Sequence, residues 1–230
     1  MIEISNLSKY FFIGERRIDV LRELNLSIKK DKITVILGRS GCGKTTLLRL
    51  IAGLESVSQG EIKFKEQAKI GFVFQEPRLM PFLNVYENIV FPLKKHEIEA
   101  EKIDSLISMI GLSDFKFAAV SQLSGGMSSR VSLARVLAYE ANLILMDEPF
   151  AALDAFTRAN MQAEILKIQA GKTILFVTHN IDEALFLADE IILLEKGGIK
   201  SNYELSNLAR PRDLLSEELI AIKRKILSEI

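Results

Sequence analysis

The sequence is poor in the residues that mark secreted, metal-rich or strongly charged proteins. Its 230 residues include one cysteine, two histidines, five prolines and no tryptophan. The single Cys42 cannot form an intramolecular disulfide, and no cysteine and histidine set stands at metal-binding spacing, so we expect a reducing compartment. The 30 basic and 30 acidic side chains cancel. This balance argues against binding to nucleic acid or anionic lipid through bulk charge.

Long apolar runs are also missing. Runs such as residues 33–37 and 174–177 have polar flanks and are far shorter than the roughly 20 residues needed to cross a bilayer. Residues 1–10 alternate apolar and polar side chains and lack the charged-then-apolar order of a signal peptide. We therefore expect a globular protein that reaches a membrane only through a partner.

Short β-branched runs alternate with longer segments of helical period, which is the pattern of an α/β sheet covered on both faces. We predict that the first 30 residues form antiparallel strands joined by a turn at Gly14. The predicted strands of the core sheet are residues 33–37, 70–74, 143–146, 173–178 and 190–195.

The composition changes in residues 76–140, which we predict to be a mostly helical insertion in the sheet domain. This segment holds three of the five prolines. One helical face carries Ile103, Leu106, Ile107 and Ile110. Residues 208–230 are predicted to form a C-terminal helical tail, with apolar residues at helical spacing at Leu215, Leu219, Ile222 and Ile226. The whole chain, residues 1–230, is then expected to be one domain.

A glycine-rich loop lies between the first core strand and the helix that follows it. The loop matches the pattern G-x-x-x-x-G-K-[ST], and its residues are Gly38, Arg39, Ser40, Gly41, Cys42, Gly43, Lys44 and Thr45, with Thr46 next in the helix. The glycines let successive N–H groups surround an anion at the positive end of the helix. We expect Lys44 to contact the β- and γ-phosphates and the Thr45 hydroxyl to bind Mg²⁺. The loop therefore predicts a site for a nucleoside triphosphate.

Acidic and imidazole side chains follow two other predicted strands. Asp147 and Glu148 follow residues 143–146, and His179 follows residues 173–178, at the sheet edge where open α/β folds bind ligands. We expect Asp147 to support Mg²⁺, in part through water, and Glu148 to deprotonate the attacking water. His179 is expected to contact the γ-phosphate or to hold Glu148. Taken alone, an acidic pair also suits a helix N-terminus and an isolated histidine is usually structural, so these roles depend on the phosphate loop.

A second anion-binding pattern opens another predicted helix. Residues 123–127 read Leu-Ser-Gly-Gly-Met, and bare N–H groups at Ser124, Gly125 and Gly126 would face an anion as the phosphate loop does. Two such sites for one nucleotide make sense only if they come from different chains. With this motif the sequence resembles the ATP-binding-cassette ATPases over essentially its whole length. The implied fold is a RecA-like P-loop NTPase core sheet with an N-terminal antiparallel β subdomain and an inserted α-helical signature subdomain.

The resemblance assigns a role to each motif. The matched elements are the Walker A loop at 38–45, the Q-loop Gln75, the signature at 123–127, the Walker B residues 147–148, the D-loop at 152–154 and the switch His179. By this likeness, Gln75 senses the γ-phosphate and the metal, and Glu148 is the general base. Ser124, Gly125 and Gly126 contact the γ-phosphate held by the opposite subunit, and Asp154 crosses the dimer interface.

Two positions keep alternatives open. The resemblance implies an aromatic residue near Lys9 that stacks on adenine, and Phe11 has the usual offset, with Tyr10 and Phe12 as competitors. At the fifth signature position Met127 replaces the family's usual glutamine. This change removes a side-chain amide but leaves the backbone donors in place.

Residues 74–89 and 147–158 look most like importer ATPases of the nitrate, sulfonate and taurine type. The likeness implies a cassette that uses ATP and Mg²⁺ at the cytoplasmic face of the cell membrane. We expect it to pair with a second, identical cassette and to drive a transmembrane permease to which a solute-binding protein delivers the solute. Residues 79–92 are expected to receive a short helix of the permease through Met80, Phe82 and Leu83.

Other functions remain as alternatives. An exporter ATPase is the nearest one, because the sequence of a cassette separates import from export poorly. A soluble cassette ATPase that acts on nucleic acid or ribosomes typically carries tandem cassettes or long coiled-coil insertions, which this sequence lacks, so no nucleic-acid partner is expected. A P-loop kinase would have no use for the second anion site.

Overall fold

A computed structural model describes all residues from Met1 to Ile230 and contains nine strands and seven α-helices. The strands are β1 (Ile2–Ile13), β2 (Arg16–Ile28), β3 (Ile33–Leu37), β4 (Gln59–Phe64), β5 (Ile70–Val73), β6 (Leu143–Asp147), β7 (Thr173–Thr178), β8 (Glu190–Glu195) and β9 (Gly198–Glu204). The helices are α1 (Lys44–Ile51), α2 (Val85–Val90), α3 (Ala100–Met109), α4 (Gly125–Ala138), α5 (Ala155–Ile168), α6 (Ile181–Leu187) and α7 (Glu217–Glu229). Short 3₁₀ helices span Lys95–Glu97, Ser113–Phe115 and Val120–Gln122.

The central sheet has the strand order β5-β6-β7-β3-β8-β9, in which only β9 is antiparallel to its neighbour. All residues of β3, β6 and β7 are buried, as expected for parallel strands covered on both faces. The five predicted core strands are confirmed. Two of them differ by one residue at the end, because β5 ends at Val73 and β6 continues to Asp147.

A smaller antiparallel sheet, in the order β2-β1-β4, covers one face of the central sheet. The predicted hairpin at the start of the chain is confirmed, and its turn contains Gly14 at φ +60°. The inner face of this sheet packs on α1 and on the central strands. The buried residues shared by these elements include Ile4, Leu24, Ile28, Leu48, Ile51, Leu145 and Val177.

The chain between β5 and β6 contains helices and no strand. In α3, Ile103 and Ile107 are buried, and Ile110 is buried just beyond its end. At the other end of the chain, α7 begins at Glu217 after Ser216, which accepts a hydrogen bond from the Leu219 N–H. The expectation that Leu215 shares this helix face is wrong, because Leu215 precedes the cap and is exposed. No helix in the structure combines the length and apolarity that a membrane span requires.

Candidate nucleotide-binding site

The glycine-rich loop joins the end of β3 to the start of α1 with a backbone that tolerates few side chains. Gly43 has φ +106°, and a Cβ atom there would lie 2.6 Å from Leu21 Cδ2. A Cβ atom on Gly38 would lie 2.4 Å from the Leu194 carbonyl oxygen. The N–H groups of Ser40, Gly41 and Gly43 donate to no backbone carbonyl. The loop therefore presents free N–H donors beside the positive end of α1, as an anion site requires.

Lys44 holds the loop in this shape. Its side chain is buried, and its Nζ donates to the carbonyl oxygens of Gly38 at 2.7 Å and Arg39 at 2.9 Å. These contacts place the ammonium group under the loop, and neither is to a carboxylate. The positive charge is therefore available for a phosphate.

Thr45 and Asp147 come together across the sheet edge. The Thr45 hydroxyl donates to Asp147 Oδ1 at 2.9 Å. Asp147 is almost fully buried, and burial raises the pKa of its carboxyl although the Thr45 hydrogen bond opposes the shift. Hydroxyl and carboxylate oxygens, together with the nearby amide of Gln75, are donors that suit Mg²⁺. No group of three or more histidine, cysteine or acidic side chains is arranged to hold a metal ion by itself.

Glu148 follows β6 directly in a strained backbone conformation. Its φ is +46°, in the left-handed region that residues other than glycine rarely adopt. The Glu148 N–H still donates to the Val177 carbonyl at 3.0 Å, so the strand pairing extends to the strained residue. Glu148 Oε2 lies 3.1 Å from His179 Nδ1. The fold thus joins the predicted base and the predicted histidine in one pair at the ends of β6 and β7.

A cavity of about 700 Å³ brings most of the predicted residues together, within the size range of small-molecule sites. It is lined by Val20, Arg39, Ser40, Gly41, Gly43, Lys44, Thr45, Thr46, Gln75, Glu148 and His179. Val20 was missed by the sequence analysis because no motif includes it. It lies on β2 between Asp19 and Leu21, which pair with Tyr10 and Lys9.

Three predicted residues of the loop and hairpin do not line this cavity, namely Gly38, Cys42 and Phe11. The Cys42 side chain is buried behind the loop near Gly38, where burial raises the pKa of its thiol. Only the backbone of Cys42 can therefore serve the site. The Phe11 ring is partly exposed on β1, and Lys9 Nζ lies 4.5 Å from its centroid. Stacking of Phe11 on adenine stays a prediction.

The signature residues do not line the cavity of their own chain. Ser124 caps α4 by accepting the Met127 N–H at 3.2 Å, and Ser124 and Gly125 are exposed. A Cβ atom on Gly126 would lie 3.2 Å from the Ala152 carbonyl oxygen, so the start of α4 adjoins residues 152–154. The Met127 side chain packs against the hydrophobic core.

Asp154 has a structural role of its own at the start of α5. Its Oδ1 accepts the N–H groups of Phe156 and Thr157, and its Oδ2 accepts the Thr157 hydroxyl. These hydrogen bonds, with that of the Thr157 side chain as the largest cause, lower the pKa of Asp154. That Asp154 crosses a dimer interface remains a prediction.

Comparisons with known proteins agree with this site. A family model described as ABC transporter matches residues 21–151. An aliphatic sulfonates import ATP-binding protein of Bacillus cereus is 40% identical over 99% of this chain and 95% of its own length. The chain belongs to the ABC transporter family. The cassettes of this family are ATPases.

Other ABC transporter relatives extend the comparison. An uncharacterised ABC transporter ATP-binding protein of Methanocaldococcus jannaschii is 42% identical over 99% of this chain and 90% of its own length. A spermidine/putrescine import ATP-binding protein of Bacteroides fragilis is 38% identical over the whole chain, which spans 51% of that protein. A dimeric ATP-binding cassette in a post-hydrolysis state with ADP and phosphate has a TM-score of 0.83 at 33% identity, covering 89% of this chain and 99% of that one. The predicted fold class is confirmed.

Proposed function

We propose that the chain is the ATP-hydrolysing subunit of a solute importer and acts as a pair of cassettes on a separate permease. The observation that carries the proposal is the convergence of Lys44, Thr45, Gln75, Glu148 and His179 on one cavity. Importer names among the relatives support the direction of transport. The site of action is then the cytoplasmic face of the cell membrane, where the permease holds the cassette.

We assign separate roles in hydrolysis to residues of the cavity and to Asp147, which is hydrogen-bonded to Thr45. The free N–H groups of the loop and the ammonium group of Lys44 bind the phosphates. Thr45, Gln75 and Asp147 would hold Mg²⁺, which supplies charge neutralisation to the phosphate oxygens. Glu148 accepts a proton from the attacking water at Oε, a role worth about 10² to 10⁴ in rate. His179 orients that carboxylate through the 3.1 Å contact.

The exposed signature completes the site of a second subunit. In a head-to-tail pair, Ser124, Gly125 and Gly126 of one subunit contact the γ-phosphate bound by the other. Moving such a pair from mostly open to mostly closed requires about 5.5 kcal/mol of differential binding. Two nucleotides can supply this, since each charge-assisted hydrogen bond contributes roughly 1.5 to 3 kcal/mol. The dimeric relative of known structure supports this arrangement.

The surface proposed for the permease is narrower than the sequence suggested. The buried Asn88 fixes the preceding loop, because its side chain accepts the Met80 N–H at 2.8 Å and donates to the carbonyls of Met80, Leu83 and Asn84. Phe82 on this loop is 78% exposed and Phe91 is 54% exposed. Met80 and Leu83 are only half-exposed. We therefore assign the main contact to Phe82 and Phe91.

Replacement of Glu148 by glutamine tests the hydrolytic mechanism. Glu148→Gln removes the proton acceptor but keeps the shape of the side chain, so ATP hydrolysis should fall by about 10² to 10⁴. ATP binding should persist, and an ATP-bound dimer should accumulate in size-exclusion chromatography. Glu164→Gln, in a surface pair with Lys167 on α5, is the matched control. Wild-type turnover in Glu148→Gln would remove the general-base role.

Co-expression with any permease gene found next to this gene tests the coupling. Phe82→Asp should abolish co-purification with the permease and leave the ATPase rate of the isolated cassette unchanged. Ile13→Asp, at an exposed apolar residue of the hairpin, should keep the complex. ATP-driven uptake into vesicles, measured with alkanesulfonates and with polyamines, would identify the solute class. Outward transport would instead support the exporter alternative, and a wild-type cassette that binds no permease would contradict the proposal.

A further inference from the structure

A chain of polar contacts connects the 152–154 segment with the end of β7 inside one subunit. It begins at Arg158, one helical turn after Asp154 on α5. Arg158 Nη2 donates to the Leu153 carbonyl oxygen at 2.9 Å. Arg158 Nε lies 3.6 Å from Glu183 Oε1 on α6, which makes an ion pair without a direct hydrogen bond. One guanidinium group thus contacts two segments that are distant in sequence.

Glu183 carries the contact on to the residues that flank His179. Its Oε2 accepts the Thr178 hydroxyl at 2.7 Å, and the Thr178 hydroxyl oxygen accepts the Asn180 N–H at 3.0 Å. The Asn180 side chain in turn caps α6 by accepting the Glu183 N–H. The Glu183 carboxylate therefore orients the Thr178 hydroxyl, and that hydroxyl in turn holds the backbone on the far side of His179.

The burial of Glu183 shows that this carboxylate is more than a surface group. Its side chain is 8% exposed. Burial raises the pKa of Glu183, although the Thr178 hydrogen bond and the charge of Arg158 oppose the shift. A buried carboxylate costs stability unless it is well paired. An apolar residue would pack this helix face more favourably, which points to a need for one fixed geometry.

Packing alone does not fix the Glu148 and His179 pair. A cavity of about 110 Å³ lies beside the pair, lined by Glu148, Ala151, Arg158, Thr178, His179, Asn180 and Glu183. The His179 side chain is 64% exposed. Since these side chains border open space, hydrogen bonds and ion pairs determine their orientation. The contact chain from Arg158 is the one that also reaches residues 152–154.

We propose that Arg158 and Glu183 are positioning residues that transmit the placement of residues 152–154 to His179 and Glu148. This inference rests on the proposed function, in which a second subunit contacts Asp154. Closure of the pair fixes the 152–154 segment, Arg158 follows through the Leu153 carbonyl, and Glu183 then sets Thr178 and His179. The pair that activates water is aligned only when both subunits are in place.

The test uses kinetics of the full chain with Arg158→Ala, Glu183→Ala, which removes the acceptor of the Thr178 hydroxyl, and the double variant. Each single variant should lower kcat by about 10- to 100-fold, the range expected when a reacting group is misplaced by a fraction of an ångström to 1 Å. The KM for ATP and the Kd for a fluorescent ATP analogue should stay within about twofold, because neither residue lines the nucleotide cavity. The double variant should be no slower than the worse single variant, since both changes break one contact chain.

Conservative variants and a matched control separate positioning from simple stabilisation. Glu183→Gln keeps an oxygen that accepts the Thr178 hydroxyl, and Arg158→Lys keeps the charge but cannot reach both acceptors with a planar fork. Arg158→Lys and Glu183→Gln should therefore each keep more of the wild-type kcat than the corresponding alanine variant. Lys167→Ala removes an exposed ion pair from the same helix and should leave kcat unchanged. Added to Glu148→Gln, Arg158→Ala should still allow the ATP-bound dimer to form.

Three results would overturn the inference. They are an unchanged kcat in Arg158→Ala, losses that add in the double variant, and a kcat loss in Arg158→Lys and Glu183→Gln that follows a fall in thermal stability and nucleotide affinity. A wild-type protein without ATPase activity would contradict the proposed function itself. An active wild type with unaffected Arg158 and Glu183 variants would contradict only the positioning role.

Discussion

Two glycine-rich segments of this chain each lie at the start of a helix, but their surroundings differ. The 38–45 loop follows a fully buried strand, encloses the buried Lys44 and borders a cavity of about 700 Å³. The 123–127 segment has Ser124 and Gly125 exposed and its other residues half-buried, and it lines no part of that cavity. Its polar side chain, Ser124, is used to cap α4.

Under the proposed function, this difference separates a site that one chain builds from a site that needs a second chain. The phosphate loop places the Lys44 ammonium group and its N–H donors at the wall of a cavity. The signature presents its N–H donors outside that cavity, at exposed residues. An anion bound there would stay in contact with water until another surface covered it, so the two segments should respond differently to substitution.

The largest expected effect comes from breaking each segment in a different subunit. Lys44→Ala should weaken ATP binding by at least about 100-fold, since charge-assisted hydrogen bonds contribute roughly 1.5 to 3 kcal/mol each. Ser124→Arg should keep ATP binding by the isolated chain but block hydrolysis. An equal mixture should recover on the order of a quarter of the wild-type rate, because random pairing of a two-fold dimer gives half hybrids with one intact site each. ATPase assays of each variant and of the mixture measure this.

The mixture has a clear failing outcome. If it stays as inactive as the separate variants while the hybrid dimer is seen by native mass spectrometry, the two segments do not combine into independent sites. Lys63→Ala, in an exposed ion pair with Glu61, should bind and hydrolyse ATP normally.

A moderate effect on stability is expected when the buried carboxylate of Asp147 is replaced. The phosphate loop has this carboxylate beside it, and the signature has no equivalent group. Burial raises the pKa of Asp147 in the folded protein, so the folded state favours the protonated form. The stabilising contribution is present below the unfolded pKa and is lost as pH rises through the folded pKa. At pH 7 the ionised Asp147 therefore destabilises the nucleotide-free protein.

Asp147→Asn should raise the melting temperature of the nucleotide-free protein at pH 7 by about 2 to 4 °C, the shift that 1 kcal/mol gives in a domain of this size. The gain should shrink as the pH is lowered toward 4, and Mg²⁺-dependent hydrolysis should fall. Calorimetry from pH 4 to 8 measures the shift, with Asp114→Asn on the surface as control. A lower melting temperature at pH 7 would show that the Thr45 hydrogen bond outweighs burial.

The smallest effect on the ATPase rate is expected from a substitution of Met127 in the signature. The Met127 side chain packs on the core, whereas the donors proposed to meet the phosphate are backbone groups. Met127→Gln should change the ATPase rate by less than about threefold and lower the free energy of unfolding by about 1 kcal/mol through lost apolar burial. Urea unfolding and steady-state kinetics measure both quantities. A tenfold change in rate would show that this side chain takes part in the site.

Much of the fold followed from short continuous apolar runs. The strands β3, β7 and β8 have the predicted bounds, because buried parallel strands form nearly continuous apolar runs. The strands β4 and β9 were missed. Most of their side chains are exposed, so neither strand has a hydrophobic pattern that predicts it. β4 is stabilised by pairing with β1, and β9 by pairing with β8.

Motifs predicted which residues meet, but side-chain directions depended on tertiary structure. The contact between Thr45 and Asp147 follows from the common edge of parallel strands. No sequence pattern predicts that the Cys42 side chain is buried behind the loop. The contact of Arg158 with Glu183 joins two helices whose residues are 25 positions apart, and no local spacing predicts it.

The left-handed backbone of Glu148 has a consequence for laboratory evolution. Glycine adopts this conformation without strain, and asparagine does so more readily than glutamate. A selection for heat resistance alone should therefore favour glycine or asparagine at this position. Such variants would gain stability by discarding the carboxylate, and a thermostable line would need a concurrent screen for turnover to remain an enzyme.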